Sequence, residues 1–164
     1  CKILLRYGLR LLAMPTTSLG VCEMDVQDAT DSQDPPGVVL RLIPDLLAVC
    51  RLTPTAPWPS PSSPAGFWSV TRTDAELSLV CPEDAAPAGE DVKVETGWRA
   101  LEVAGPLDFS MVGVMAGLAG PLAQARISVF VISTFDTDYV LVRSAAVEQA
   151  VEALRSAGHT VHHD

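Results

Sequence analysis

The stretch "TPTAPWPSPSSPAG" (53–66) places five prolines in fourteen residues and limits what the first half of the chain can become. Each proline inside a helix removes a hydrogen-bond donor and clashes with the preceding turn, so no helix survives that density. The apolar runs around it read as strands. "LLAVCRL" (46–52) comes before it; "FWSVTRT" (67–73) and "ELSLVCPE" (76–83) follow, joined at Asp74-Ala75 in the manner of a hairpin. A polar stretch then leads to "WRALEV" (98–103), another strand.

After "GPLDF" (105–109) the period changes. Met111, Met115, Leu118 and Leu122 recur at spacings of four, three and four, the stripe of a helix that buries one side. Ser110 or Asp108 can cap its start, and Pro121 is expected to kink or shorten its last turn. "ISVFVI" (127–132) reads as a buried strand and "DYVLV" (138–142) as the next one. Ser144 opens a second helix with Val147, Val151 and Leu154 inward, ended by Gly158, and "HTVHH" (159–163) can add a short last strand. The expected class is α+β: the ferredoxin-like βαββαβ order, a four-stranded antiparallel sheet with two helices on one face.

The first half carries an abbreviated repeat of this unit. Setting "WSVTRTDAELSLV" (68–80) under "FVISTFDTDYVLV" (130–142) puts Glu76 on Asp138, Leu77 on Tyr139, Leu79 on Leu141 and Val80 on Val142. "LLAVCRL" falls opposite "WRALEV", and the proline segment stands where the long helix would be. Two tandem units are expected, 38–97 and 98–164, which bury a shared sheet more completely than either alone. Residues 1–36, acidic and proline-containing toward their end, are expected to form a disordered extension.

With 164 residues, 48% of them hydrophobic, the chain has the material for a packed globule. Its 20 acidic and 11 basic residues leave a formal charge of −9. Such a surface repels phosphate backbones and no local basic patch offsets it, so no nucleic-acid partner is expected. No apolar run reaches the roughly 18 residues that span a bilayer, so no membrane partner is expected either. "CKILLRYGLRLLAM" (1–14) lacks the uninterrupted apolar stretch of a secretory signal, because Arg10 breaks it. Cys1, Cys22, Cys50 and Cys81 are scattered with no C-x-x-C pair, as in a reducing compartment. A cytoplasmic protein is expected.

The segment "WRALEVAGPLDFSMVGVMAGLAGPLAQARISVFVISTFDTDYVLV" closely resembles the ACT-domain family, in its aspartate-kinase-like and CASTOR-like branch. "AVCRL", "FWSVTRT", "ELSLVCPE" and "GWRAL" are similar to the N-terminal half of small bacterial members, so the resemblance spans about residues 38–161. It implies paired ACT units with an amino acid bound at an interface between units, in modules that regulate and do not catalyse. The family's arginine sensors hold their ligand partly through the loop that resembles Thr134, Phe135 and Asp138.

Elementary chemistry points to the same end of the fold. A free amino acid needs donors for its carboxylate, and a helix start offers unpaired N–H groups at a positive dipole end. That start is Phe109–Val114, where Gly113 lets a ligand approach the backbone. In the βαββαβ order the first strand–helix loop and the link between the second and third strands lie near each other. The candidate ligand-binding residues are therefore Ser110, Met111, Val112, Gly113, Val114, Thr134, Phe135 and Asp138. Asp138 faces the ligand's ammonium in this arrangement, and Phe135 covers it.

Each of these residues also has a plainer role open to it. Asp136 and Asp138 suit a tight turn, Ser110 suits a helix cap, and Met111 and Met115 suit the core. His159, His162, His163 and Asp164 could ligate a metal, but they cluster at the chain end with no partner elsewhere, so no metal is expected. Cys50 and Cys81 lie in strands as inert core thiols. "AGLAGPLAQ" lacks the Lys-Ser/Thr of a phosphate loop, and no Ser–His–Asp or Cys–His set is present, so neither an enzyme nor a cofactor is expected. The expected function is an amino-acid-binding regulatory protein, homodimeric, acting on an enzyme or signalling partner. The alternative is a ligand-free interaction or dimerisation module.

Overall fold

The longest strand organises the molecule. The computed structural model describes residues 37–59 and 66–163, and in it β5 (Lys93–Val103) carries neighbours on both edges. Two short strands set end to end, β1 (Val39–Leu42) and β2 (Leu47–Leu52), run antiparallel along one edge. Strand β7 (Asp138–Arg143) lies along the other, pairing with residues 98–102. Outward from β2 follow β4 (Leu77–Pro82) and β3 (Ser69–Arg72), and outward from β7 follows β6 (Phe130–Ser133). Outward from β1 lies β8 (Thr160–His163). The expected extension over 1–36, Cys1, Cys22 and Asp164 fall outside the described residues.

Alternation along β5 divides two cores. Leu101 and Val103 point to the helices α1 (Val114–Gln124) and α2 (Val147–Ser156), where Val140, Val142, Leu118, Leu122, Val151 and Leu154 close the main core. Trp98 and Ala100 point the other way, into a second cluster with Leu47, Val80 and Leu141. Between the two cores β5 bends. Its register with β2 shifts between Leu47 and Val49, and Gly97 takes a φ of +74° at the bend. As a result β2, β3 and β4 pack on the helix-free side of the sheet, where Phe67 lies 4.7 Å from the Tyr139 ring.

Four features depart from the sequence expectation. The sheet is antiparallel except at one place. β1 inserts between β5 and β8, and β8 pairs with it in parallel, Leu40 opposite Val161. β1 preserves the direction that β8 would have beside β5, so the helices keep their common face. Second, "ISVFVI" is not a buried strand: only Phe130–Ser133 pair, with β7 alone, and Val131 and Ser133 are exposed at the sheet edge.

Third, α1 starts later than expected and is not ended by its proline. Neither Ser110 nor Asp108 caps it; the N-cap is Gly113. The Asp108 carboxylate instead accepts bonds from the Ser110 N–H at 2.8 Å and the Ser110 hydroxyl at 2.7 Å, closing a turn ahead of the helix. α1 then runs through Pro121 to Gln124. Pro121 has no N–H for the Gly117 carbonyl four residues earlier, and His159 takes over. Its Nε2 lies 3.2 Å from that carbonyl oxygen, while its Nδ1 accepts the Val38 N–H at 3.2 Å. With Nδ1 accepting from Val38, Nε2 is the nitrogen left to donate to the Gly117 carbonyl.

Fourth, the two hairpins set in parallel by the expected repeat match in a register one residue away from it. Thr73 N–H donates to the Glu76 carbonyl at 2.9 Å, and Thr134 N–H donates to the Thr137 carbonyl at 2.8 Å. In both links the threonine hydroxyl repeats the contact. The β3–β4 and β6–β7 hairpins therefore superpose Glu76 on Thr137 and Leu77 on Asp138, in place of Glu76 on Asp138.

Candidate functional site

The loop before α1 and the link before β7 meet at one end of the sheet. Leu107 N–H donates to the Asp136 carbonyl at 2.7 Å, and the Thr137 hydroxyl donates to the Val103 carbonyl. The backbones approach so closely that a Cβ on Gly105 would lie 3.0 Å from the Asp136 oxygen. Above this contact the Phe109 and Phe135 rings stand edge to face, centroids 5.0 Å apart.

The eight candidate residues divide by burial. Ser110 is exposed and held in the Asp108 turn, Met111 is half-buried against the main core, and Val112 is 66% exposed. Gly113 has a φ of +87°; Val114, the first helical residue, turns its side chain into the core and leaves only its backbone to a ligand. Thr134 is exposed and occupied in its turn, while Phe135 is the most exposed of the set at 74%. Asp138 opens β7 opposite Ser133 and is completely buried.

That burial is the unusual feature. Leu77, at the matching place in the first hairpin, is likewise completely buried. The fold accepts an apolar residue there, so nothing in the hairpin geometry calls for a carboxyl. Burying one costs free energy that leucine would not.

Asp138 also forms part of the wall of a cavity of about 320 Å³, and it is the one candidate to do so among the described residues. Ser69 and Thr71 of β3 and Ser78 of β4 face it from one side. Phe130 and Ile132 of β6 also line it, while Ser133 shares the helix-side face with Asp138 and Met115 of α1. The hydroxyls of β3 and β4 were not among the sequence candidates. Alternating polar residues on an edge strand look like an ordinary wet face, and it is the shared cavity that sets them near β6.

Elsewhere the polar groups are engaged locally. Tyr139 donates to Glu102 at 2.9 Å, and burial together with that carboxylate pushes its hydroxyl up to about 12. The bonds from Ser110 hold Asp108 below the usual carboxylate range. Cys50 and Cys81 are free and buried; the Cys50 thiol beside Cys81, and then burial, push Cys81 far above the ordinary thiol range, which suits packing and not nucleophilic attack. Of the terminal histidines, His159 is buried in its two bonds and His162 and His163 are exposed on β8. Among the described residues no group of three or more His, Cys, Asp or Glu is arranged for a metal ion, and no helix is long and apolar enough to cross a membrane.

Residues 93–156 match the family model described as ACT domain, and residues 45–89 match a second model, described as an N-terminal domain. The human cytosolic arginine sensor for mTORC1 subunit 1 is 32% identical over 137 residues, covering 76% of this chain and 40% of the sensor. The chain thus spans about 40% of the length of the curated relatives that it matches in this way. A crystal structure of a protein from Agrobacterium tumefaciens is 36% identical, with a TM-score of 0.72 over 79% of this chain and 95% of that one. The regulatory subunit of aspartate kinase from Thermus flavus shares the fold, with a TM-score of 0.52 and 14% identity over 74% of this chain and 99% of that subunit.

Proposed function

This chain belongs to the ACT-domain family, and from that premise we propose that it is a regulatory protein that senses a free amino acid and does not itself catalyse. The ligand sits where the 105–113 loop meets the 134–138 link. Backbone N–H groups at the start of α1 receive its carboxylate, Asp138 receives its ammonium, and Phe135 closes over it. Ser110, Met111, Val112, Gly113, Val114 and Thr134 shape the surrounding wall. The single observation that carries this reading is the fully buried Asp138 carboxyl in a hairpin whose counterpart holds Leu77.

Residues 38–97 and 98–164 act as two units of this sensor, the first abbreviated. A second copy covers the apolar rim of Phe109, Val112 and Phe135, which are 54%, 66% and 74% exposed. Occupancy is passed to an enzyme or signalling partner through that contact. The same rim favours one alternative, a dimerisation module that binds no ligand.

Thermal unfolding with each of the twenty amino acids tests the proposal. A binder present at a hundred times its dissociation constant should stabilise the chain by about 2.7 kcal/mol. Asp138→Leu should abolish the response while the unliganded variant still unfolds cooperatively. A response that survives Asp138→Leu would place the ligand elsewhere. A dimer indifferent to all twenty would favour the module.

A further inference from the structure

We propose that His159 is an acid-sensitive latch: a second proton on its imidazole releases the start of β1 from the α1–β8 corner while α1 stays held. The proposal goes beyond the amino-acid reading above and does not depend on it.

The ring is built into the fold on both sides. His159 is 6% exposed and follows Gly158, whose φ of +87° carries the chain from α2 into β8. Its two nitrogens meet groups of opposite kind. The Val38 N–H donates to Nδ1 at 3.2 Å, and the Gly117 carbonyl oxygen stands 3.2 Å from Nε2. A backbone N–H can only donate, so the first bond exists only while Nδ1 carries no proton. The neutral ring satisfies both neighbours. The doubly protonated ring satisfies one: Nε2 still donates to Gly117, but at Nδ1 two N–H groups face each other. Burial of the ring leaves the new donor little water to turn to.

The groups around the ring do not offset this. α1 carries no charged residue over its whole length. From β1 come Val38, Val39 and Leu40, while Arg41 turns away to donate to Glu102 at 3.1 Å. On α2, Glu148 and Glu152 are exposed, and Arg155 donates to the Val161 carbonyl at 2.7 Å. That guanidinium opposes a second positive charge nearby. The negative end of α2, whose Leu154 carbonyl accepts the His159 N–H at 3.0 Å, favours one. His162 and His163 are exposed on β8. Among the described residues no carboxylate accepts from the ring, so no acceptor stands ready for a proton on Nδ1.

The neighbouring bonds define what opens. The Val38 carbonyl accepts the Thr160 N–H at 3.0 Å, the first rung between β1 and β8. Gly37 packs so closely that a Cβ on it would come within 2.4 Å of the Gly158 oxygen. Loss of the Val38–His159 bond therefore loosens residues 37–38 and the Thr160 rung together, where the first strand meets the last. Imidazole is the side chain that ordinarily changes charge between about pH 5 and pH 8, so the latch responds within that range.

Amide hydrogen exchange on the full chain, followed by NMR with the His159 ring nitrogens observed in the same samples, tests the latch between about pH 8 and pH 5. Exchange is expressed as a protection factor, which removes the intrinsic dependence of exchange on pH. Protection at Val38 and Thr160 should fall roughly tenfold or more, with the midpoint of the ring's protonation, while Leu101 and Val140 keep theirs. In His159→Asn the carboxamide oxygen takes the place of Nδ1 and does not titrate, so protection at Val38 should no longer depend on pH. Should that variant not fold, the comparison of ring and amide midpoints in the wild type decides alone. A ring that takes the proton without loss of protection at Val38 would overturn the proposal, as would a ring still neutral at pH 5 in the folded chain. Equal losses at Leu101 and Val140 would mean unfolding of the whole sheet and would overturn it too.

Discussion

At the scale of single residues, polar groups are placed where the hairpins differ. Tyr139 is one whose consequence is measurable in the unliganded protein. Its hydroxyl is raised from 10 to about 12 by burial and by the Glu102 carboxylate that accepts its proton. A raised value in the folded state means that the neutral phenol is stabilised there. That contribution is fully present below pH 10 and is lost as pH rises through 12. The unfolding free energy of the wild type should therefore fall more steeply than that of Tyr139→Phe between pH 10 and 12. Parallel curves in urea titrations at several pH values would show that the phenol contributes nothing. Sequence alone made Asp138 visible, because an acid between apolar strands stands out. It could not tell a turn residue from a buried one, since the distinction is a shift of one position in hairpin register, fixed by the Thr134 and Thr137 bonds.

At the scale of elements, α1 shows how a local defect is compensated from far away. Pro121 leaves the Gly117 carbonyl without its helical donor, and His159 supplies one while also accepting from Val38. His159→Ala should cost about 1–2 kcal/mol, since two half-buried backbone groups lose their partners. Pro121→Ala restores an N–H inside the helix. In that background the histidine substitution should cost about half as much, because only the Val38 N–H is left to lose. Additive effects in denaturant unfolding would mean that the two residues are not coupled. The helices were legible in the chain because Met115, Leu118 and Leu122, and later Val147, Val151 and Leu154, keep the 3.6-residue period. Strand β1 was not: "VLRL" is four residues long and follows the proline-containing segment, too short for alternation to declare itself. The continuation of α1 past Pro121 was equally hidden, since its compensating donor lies 38 positions later in the chain.

At the scale of the whole molecule, the bend in β5 makes two layers out of one sheet. Gly97 sits there with φ +74°, its N–H accepted by Glu83 at 2.8 Å, while Arg143 donates to the neighbouring Thr96 carbonyl at 2.7 Å. Gly97→Val forces a branched side chain into a left-handed conformation and should cost about 1–2 kcal/mol. Full stability in Gly97→Val would show that the backbone relaxes without it. The βαββαβ order could be read from periodicity, but the folding of one hairpin over the other could not. Nothing in a strand's own residues says where its neighbour will bend.

The placement of β1 bears on how the molecule is assembled in time. It stands between β5 and β8, so the last strand has no edge to join until one of the first is seated, and the His159–Val38 bond closes a span of 121 positions. Closing so long a loop costs entropy before any contact repays it, and such topologies acquire their native state slowly. A chain emerging from the ribosome must therefore hold β1 unmated until β5 is made, and keep its other edge open until β8 follows.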